Sequence, residues 1–215
     1  KSVQDIEIGD TITLVDRQAS EPVPGYQEAR QVVFSSIYPM ETSDYGELTK
    51  ALDKLAINDA ALTFEKDSSA ALGFGFRCGF LGLLHLDVIQ ERLRREFDIG
   101  LVISAPSVKY KLVLKDGSTL EVDNPSYWPD PTLIESASEP YIKASILTPE
   151  TYVGPVMQLC REHRSEEQTM NYLSASRIEV TSIMPLGEVL FDFYGKLKMI
   201  TRGYGSFDYE PIEYR

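Results

Sequence analysis

The stretch Gly73-Phe74-Gly75-Phe76-Arg77-Cys78-Gly79-Phe80, continued by Leu81-Gly82-Leu83-Leu84-His85-Leu86-Asp87, indicates the fold of the first half of the chain. Its opening is typical of a strand whose glycines let another backbone approach closely. Beyond it, apolar residues repeat at helical spacing: Leu86, Ile89, Leu93 and Phe97. We therefore predict a strand that enters a helix through a tight turn.

Strand and helix patterns alternate on both sides of this stretch. Residues 31–38 and 62–66 predict strands, and Leu101-Val102-Ile103 predicts a third. Between the first two, Asp44-x-x-Glu47 resembles a capping box. A helical stripe follows it: Leu48, Ala51, Leu52 and Leu55. The order βαββαβ over residues 30–106 predicts a ferredoxin-like module.

The same order returns over residues 139–215. A strand pattern at 141–147 is followed by Thr148-Pro149, which is typical of a helix N-cap with proline at the first helical position. The later strands are expected at 168–174, 177–184 and 207–212, and the second helix at Pro185. This half of the chain predicts a second ferredoxin-like module.

Two further segments complete the predicted organisation. Asp116-Gly117 between strand-like runs predicts a hairpin, and the prolines at 125–131 predict a semi-rigid linker, so residues 107–138 are expected to join the modules. Residues 1–29 carry strand-like patterns at Ile6, Ile8 and 11–15. Because one or two strands cannot bury their own apolar face, we expect the end of a β-barrel domain there. The fold class is α+β.

The amino-acid composition limits the functions that this chain can have. It has 215 residues, 43% of them hydrophobic, a formal net charge of −12 and no apolar run near the length of a membrane span. Cys78 and Cys160 lack metal or redox spacing, which indicates a reduced, cytoplasmic protein. The negative charge argues against a freestanding nucleic-acid binder, because phosphate neutralisation normally supplies much of the affinity. The chain starts at Lys1 and ends in strand-like sequence, so we expect a piece of a longer protein.

No motif predicts catalysis. The glycines of residues 73–79 are spaced Gly-x-Gly-x-x-x-Gly, which favours close packing over a dinucleotide loop. Gly195-Lys196 lacks the other residues of a phosphate loop. His85 is expected to be a hydrogen-bonded structural histidine and His163 a solvated helix end. We predict no catalytic, cofactor-binding or metal-binding residue in this chain.

Basic residues near the end of the chain offer one candidate interface. Three recur along the last predicted helix, Lys196, Lys198 and Arg202, and two end the preceding helix, Arg161 and Arg164. A solvated face and a phosphate-binding edge are both compatible with this pattern. Tyr204, Phe207 and Tyr209 lie nearby, where strand core is favoured over base stacking.

The stretch at 75–87 resembles the third-domain signature of the LepA family, also called elongation factor 4. Further LepA-like segments are Gly9–Ile12, Asp123–Pro125, Glu139–Tyr141, Thr148–Gly154 and Thr201–Glu210. In elongation factor G a large fourth domain separates the two ferredoxin-like modules. Here only residues 107–138 do, which favours LepA.

The resemblance implies a ribosome-dependent GTPase that acts in elongation, with a proposed role in reverse translocation and fidelity. GTP and magnesium would belong to a domain outside this chain. The two modules would contact ribosomal RNA and protein near the factor-binding centre, with the five basic residues as candidate RNA contacts. The resemblance further implies a cytoplasmic monomer, with peripheral association with the inner membrane.

An alternative remains at this point. Ferredoxin-like pairs also form stand-alone regulatory proteins that bind small molecules, because fold does not fix function. A metabolic enzyme would need convergent polar groups that the sequence does not show.

Overall fold

The computed structural model describes residues 11–24, 31–174 and 176–215. The chain divides into two units, Lys1–Pro106 and Ser107–Arg215. Among the described residues, no helix is both long and apolar enough to cross a membrane.

The first unit has the element order that the sequence predicts. It contains β1 (Val33–Pro39), α1 (Tyr45–Asn58), β2 (Thr63–Ser69), β3 (Gly73–Phe80), α2 (Leu83–Phe97) and β4 (Leu101–Ile103). The strands form one antiparallel sheet in the order β2-β3-β1-β4. This is the strand order of a ferredoxin-like module, so the predicted fold of the first module is confirmed.

The helical and strand spacings of the apolar residues determine which side chains form the core of this module. All four residues of the predicted α1 stripe are buried, as are Leu86, Ile89 and Leu93 of α2. They meet alternate residues of β1 and β3, among them Ile37 and Phe76. Burying each such side chain contributes about 1.5–3 kcal/mol, which fixes the helices on the sheet.

His85 ties the two helices together at one end. Its Nδ1 accepts the Leu81 amide hydrogen at 3.1 Å, so the neutral ring carries its proton on Nε2. Nε2 lies 2.8 Å from Asp59 Oδ2, just beyond the end of α1. His85 therefore has the structural role that the sequence favoured.

The second unit begins with a small sheet that the sequence only partly predicts. β5 (Tyr110–Leu114) and β6 (Thr119–Val122) form the expected hairpin, and β7 (Ile134–Ser138) joins them in the order β6-β5-β7. The expectation of a linker over residues 107–138 is therefore wrong for β7. Its pairing with β5, for example Lys111 with Ser138, joins residues far apart in sequence and leaves no local pattern.

The second ferredoxin-like module follows directly. It contains β8 (Pro140–Thr148), α3 (Val153–Glu162), β9 (Glu167–Ser174), β10 (Arg177–Pro185), α4 (Phe193–Ile200) and β11 (Ser206–Tyr214). The sheet order is β11-β8-β10-β9, which repeats the arrangement of the first module. The second predicted module is confirmed.

Both predicted helix caps are wrong. Asp44 precedes α1 but makes no capping hydrogen bond, because a 3₁₀ turn at Thr42–Asp44 already places it in helical conformation. Thr148 is the last residue of β8, and its buried Oγ1 has no hydrogen-bond partner among the described residues. A 3₁₀ turn at Glu150–Tyr152 separates it from α3.

Residues 11–24 add no strand to the sheets that the structure describes. Within residues 11–24 the predicted strand at 11–15 is replaced by a single bridge between Leu14 and Arg17. Ile6, Ile8 and residues 25–29 lie outside the described residues. The β-barrel end over residues 1–29 stays a prediction.

Candidate nucleic-acid interface

Helix α4 presents one buried and one solvent-exposed side. Phe193 and Leu197 are fully buried against the module, since they lie on the same face at i and i+4. Around the rest of the helix, Tyr194 and Met199 are exposed, and Lys196 and Lys198 are partly exposed on different flanks. The apolar pattern of the helix therefore directs its basic residues away from the core.

The turn after α4 holds its conformation through one buried hydroxyl. Thr201 Oγ1 donates to the Leu197 carbonyl at 2.7 Å and accepts from the Gly205 amide at 2.9 Å. Between them the chain reverses through Arg202 and Gly203, with φ of 51° and 84°. A non-glycine residue in this left-handed region is uncommon, and the surrounding hydrogen bonds hold it there.

Lys198 belongs to the scaffold of this turn. Its Nζ donates to the Gly205 carbonyl at 2.7 Å and lies 5.2 Å from the centre of the Tyr194 ring. A cation at a helix C-terminus also interacts favourably with the helix dipole. Lys196 is less committed, because its only ion pair within the described chain is an exposed one with Asp192 at 3.4 Å.

Arg202 and Arg161 face solvent. Neither guanidinium forms an ion pair or hydrogen bond with another residue that the structure describes. Arg161 lies in the last turn of α3, and Arg202 sits on the turn after α4. Both are available for contact with an external anion.

Arg164 is instead part of an internal charge cluster. It pairs with Glu139 and, at 3.3 Å, with Glu188. The hydrogen bond with Glu139 is the largest cause that raises the pKa of the Arg164 guanidinium above its ordinary value. His163 packs edge-on against Phe193 beside this cluster, so it is a packed rather than a solvated helix end.

The structure spreads the candidates along α4 and its flanks. Lys198 and Arg202 lie in the last turn of α4 and just after it, Lys196 lies in the middle of the helix, and Arg164 contacts Glu188, before the helix starts. Eight residues of helix span about 12 Å. Arg164 therefore lies near the start of α4, away from Lys198 and Arg202, so the candidates do not form a single small cluster.

The sequence did not predict that the aromatic ring of Tyr204 is exposed. The sequence favoured strand core, but Tyr204 is 70% exposed at the tip of the turn, while Phe207 and Tyr209 are partly buried in β11. Glycines on both sides of Tyr204 are the signal that could have indicated a turn. Arg202, Tyr204 and Met199 together give this edge a mixed basic and apolar surface.

We predict that Thr201→Val destabilises the second unit by about 1–2 kcal/mol, because the valine leaves the buried Gly205 amide without its acceptor. Urea unfolding of the purified chain measures the change. Thr201→Ser keeps the hydroxyl and is the matched control. A Thr201→Val variant that loses no more stability than Thr201→Ser would show that the hydrogen bonds of the hydroxyl do not stabilise the turn.

The comparisons with known proteins agree with this architecture. Residues 29–105 match the family described as Elongation Factor G, domain III, and residues 136–215 match Elongation factor G C-terminus. A solved crystal structure of a Thermus thermophilus protein superposes with a TM-score of 0.55 at 18% identity, covering 92% of this chain and 42% of that one. That likeness supports the fold alone.

Close relatives match the whole chain. Elongation factor 4 2 of Rhodopirellula baltica is 82% identical over all 215 residues, and elongation factor 4 of Desulfotalea psychrophila is 61% identical over the same length. The chain spans 36% of the length of each of these relatives. Elongation factor 4 of Streptococcus gordonii is 55% identical over the full chain, which spans 35% of its length.

The two ferredoxin-like modules are thus of the kind found in translational elongation factors of the elongation factor G type. Within that class, the chain belongs to the elongation factor 4, or LepA, family.

Proposed function

We propose that this chain is the central, ribosome-contacting part of a LepA-type elongation factor that works as a GTPase during elongation. The observation that carries the proposal is the 82% identity to an elongation factor 4 across the full length of the chain. The stand-alone regulatory protein is not favoured, since the close relatives bear the name of an elongation factor and are far longer.

The division of labour within such a factor follows from the part that this chain spans. We assign GTP and magnesium to the portion of the relatives outside it. The chain would then act by binding and orientation, as a monomer in the cytoplasm. A role in reverse translocation and fidelity belongs to the same proposal.

The edge formed by α4 and its turn is the proposed RNA contact. Arg202 and Lys196 are the leading contacts, because they combine exposure with weak or no internal ion pairing among the described residues. Lys198 supports the turn from within, and Arg164 supports the fold. Arg161, exposed in the last turn of α3, is a further candidate contact.

We expect the double substitution Lys196→Ala with Arg202→Ala to weaken binding of the chain to bacterial ribosomes. Each phosphate contact adds about 0.7–0.9 to the slope of log affinity against log salt. Losing two phosphate contacts should therefore reduce the steepness of this slope by up to about 2. Binding to purified ribosomes is measured across a salt series.

The matched control is Lys115→Ala with Lys143→Ala, which removes the same charge from exposed positions elsewhere in the second unit. Its slope should stay close to that of the unmodified chain. If the two double variants behave alike, the edge of α4 is only a solvated face. Adding Arg161→Ala to the first pair tests whether the end of α3 takes part.

A further inference from the structure

A second exposed surface lies in the segment 124–133, which we call the aromatic turn segment. Tyr127 is 68% exposed and Trp128 39% exposed, and Leu133 is exposed at its end. Exposed aromatic side chains grouped in this way are typical of interaction surfaces, where tryptophan and tyrosine carry much of the binding energy. The segment is separate from the basic edge of α4 in sequence and in chemistry.

The segment is held in a fixed shape despite its prolines. Asn124 Oδ1 accepts the Ser126 amide hydrogen at 3.0 Å and caps one 3₁₀ turn, Pro125–Tyr127. Asp130 Oδ1 accepts the Thr132 amide hydrogen at 2.8 Å and caps a second. A surface that is ordered before binding loses less conformational entropy when a partner arrives.

Two contacts fasten the segment to the small sheet. The Trp128 ring packs edge-on against Tyr110 of β5, with 5.3 Å between ring centres. Five residues later, the Leu133 carbonyl accepts the Lys115 amide hydrogen at 2.9 Å, just beyond the end of β5. The segment therefore runs along β5 and keeps the outer side of its aromatic residues in solvent.

The charge around the segment selects the partner. Residues 116–142 contain no lysine, arginine or histidine, and their acids are Asp116, Glu121, Asp123, Asp130, Glu135 and Glu139. Glu121 pairs with Lys109, and Glu139 pairs with Arg164. Asp130 and Glu135 form no ion pair within the described part of the chain, so their charge faces outward.

We propose that the aromatic turn segment docks a basic protein segment that presents arginine or lysine side chains. The acids repel RNA phosphates, whereas a guanidinium or ammonium group gains from both the carboxylates and the aromatic faces. The surface thus supplements the proposed RNA edge with a site for a protein partner. The segment itself contains no cation, and of the lysines on and just after the neighbouring β5, Lys111 pairs with Glu121 and lies over the Tyr214 ring, while Lys115 is exposed.

The test uses Trp128, the only tryptophan of the chain, as a reporter at the site. A short peptide of alternating arginine and glycine is titrated into the purified chain while tryptophan fluorescence is followed. We expect a saturable change that weakens as salt rises, because exposed charge interactions are screened. A glutamate-glycine peptide of the same length should give no saturable change.

Two variants test the named residues. Tyr127→Ala removes the more exposed ring of the segment, and Asp130→Asn with Glu135→Gln removes two charges, while the asparagine can still cap its turn. Each variant should weaken binding of the arginine peptide by at least about fivefold. The control Asp208→Asn with Glu210→Gln removes the same charge from exposed positions on β11 and should leave the affinity unchanged.

Three results would overturn the proposal. Equal weakening by the β11 control would show that general acidity attracts the peptide. A saturable fluorescence change with a single-stranded RNA oligomer, in competition with the peptide, would make the site an RNA site. Absence of any saturable change with the arginine peptide would show that the surface takes no basic segment.

Discussion

Replacing Gly75 by alanine should destabilise the first module by about 3 kcal/mol or more. A Cβ atom at this position would lie 2.5 Å from the Ile37 carbonyl oxygen and would also overlap the Tyr38 ring. The carbonyl belongs to the backbone of β1, next to β3 in the sheet, so it cannot rotate aside. The Tyr38 ring is itself fixed, because its hydroxyl donates to Asp67.

The change is measured by urea unfolding, with hydrogen exchange of the β1 and β3 amides to assign the transition to the first module. Gly46→Ala is the matched control, since nothing lies within 4 Å of its added Cβ and the position is in α1. Alanine should be neutral or slightly stabilising there. A Gly75→Ala variant as stable as the control would show that β1 and β3 can move apart without cost.

The second large effect is expected at Asp67. Its carboxylate accepts hydrogen bonds from Ser36 at 2.6 Å, from Tyr38 at 2.9 Å and from the Ser68 amide at 2.8 Å, while Arg77 lies near. Hydrogen bonds to a buried charged group are each worth about 1.5–3 kcal/mol. Asp67→Asn removes the charge and replaces one accepting oxygen by an NH2 group, so at least one of the three donors loses its acceptor. We expect it to lower the free energy of unfolding by about 2–3 kcal/mol at neutral pH.

The pH dependence gives this prediction a second readout. Burial raises the pKa of Asp67, but the hydrogen bonds from Ser36 and Tyr38 outweigh it, so the net pKa is lower than usual. A lowered pKa in the folded state adds stability above the unfolded pKa of about 3.9, and this stability is lost as the pH falls through the folded value. The difference between Asp67→Asn and the unmodified chain should therefore shrink below about pH 4.

The control for Asp67 is Asp116→Asn. Asp116 also has a lowered pKa, caused mainly by its hydrogen bond with the Ser118 side chain, but it is fully exposed in the hairpin of the other unit. Its substitution should leave the unfolding midpoint of the first module unchanged. If the free energies of unfolding of Asp67→Asn and the unmodified chain differ by the same amount at neutral and at acidic pH, the charged carboxylate has no role in stability.

Local patterns predicted the regular elements well, because strand and helix periods depend on which neighbours share a face. The stripe from Leu48 to Leu55 and the glycine-rich strand Gly73–Phe80 are in place. The caps at Asp44 and Thr148 were wrong, because capping depends on the backbone angles of each helix start and not on residue type alone. Strand β7 was missed because its pairing partner lies far away in sequence.

The sequence by itself determined the order of helices and strands within the two ferredoxin-like modules, and the family, since these depend on short-range periodicity and on motifs. Only the tertiary structure decided which basic residues are free to bind. Arg164 is held by Glu139, far away in sequence, and Lys198 by carbonyls of the turn that follows it. Arg202 has no such partner among the described residues. Whether a charge is paired inside the fold depends on which groups the chain brings together, and residue spacing does not encode those distances.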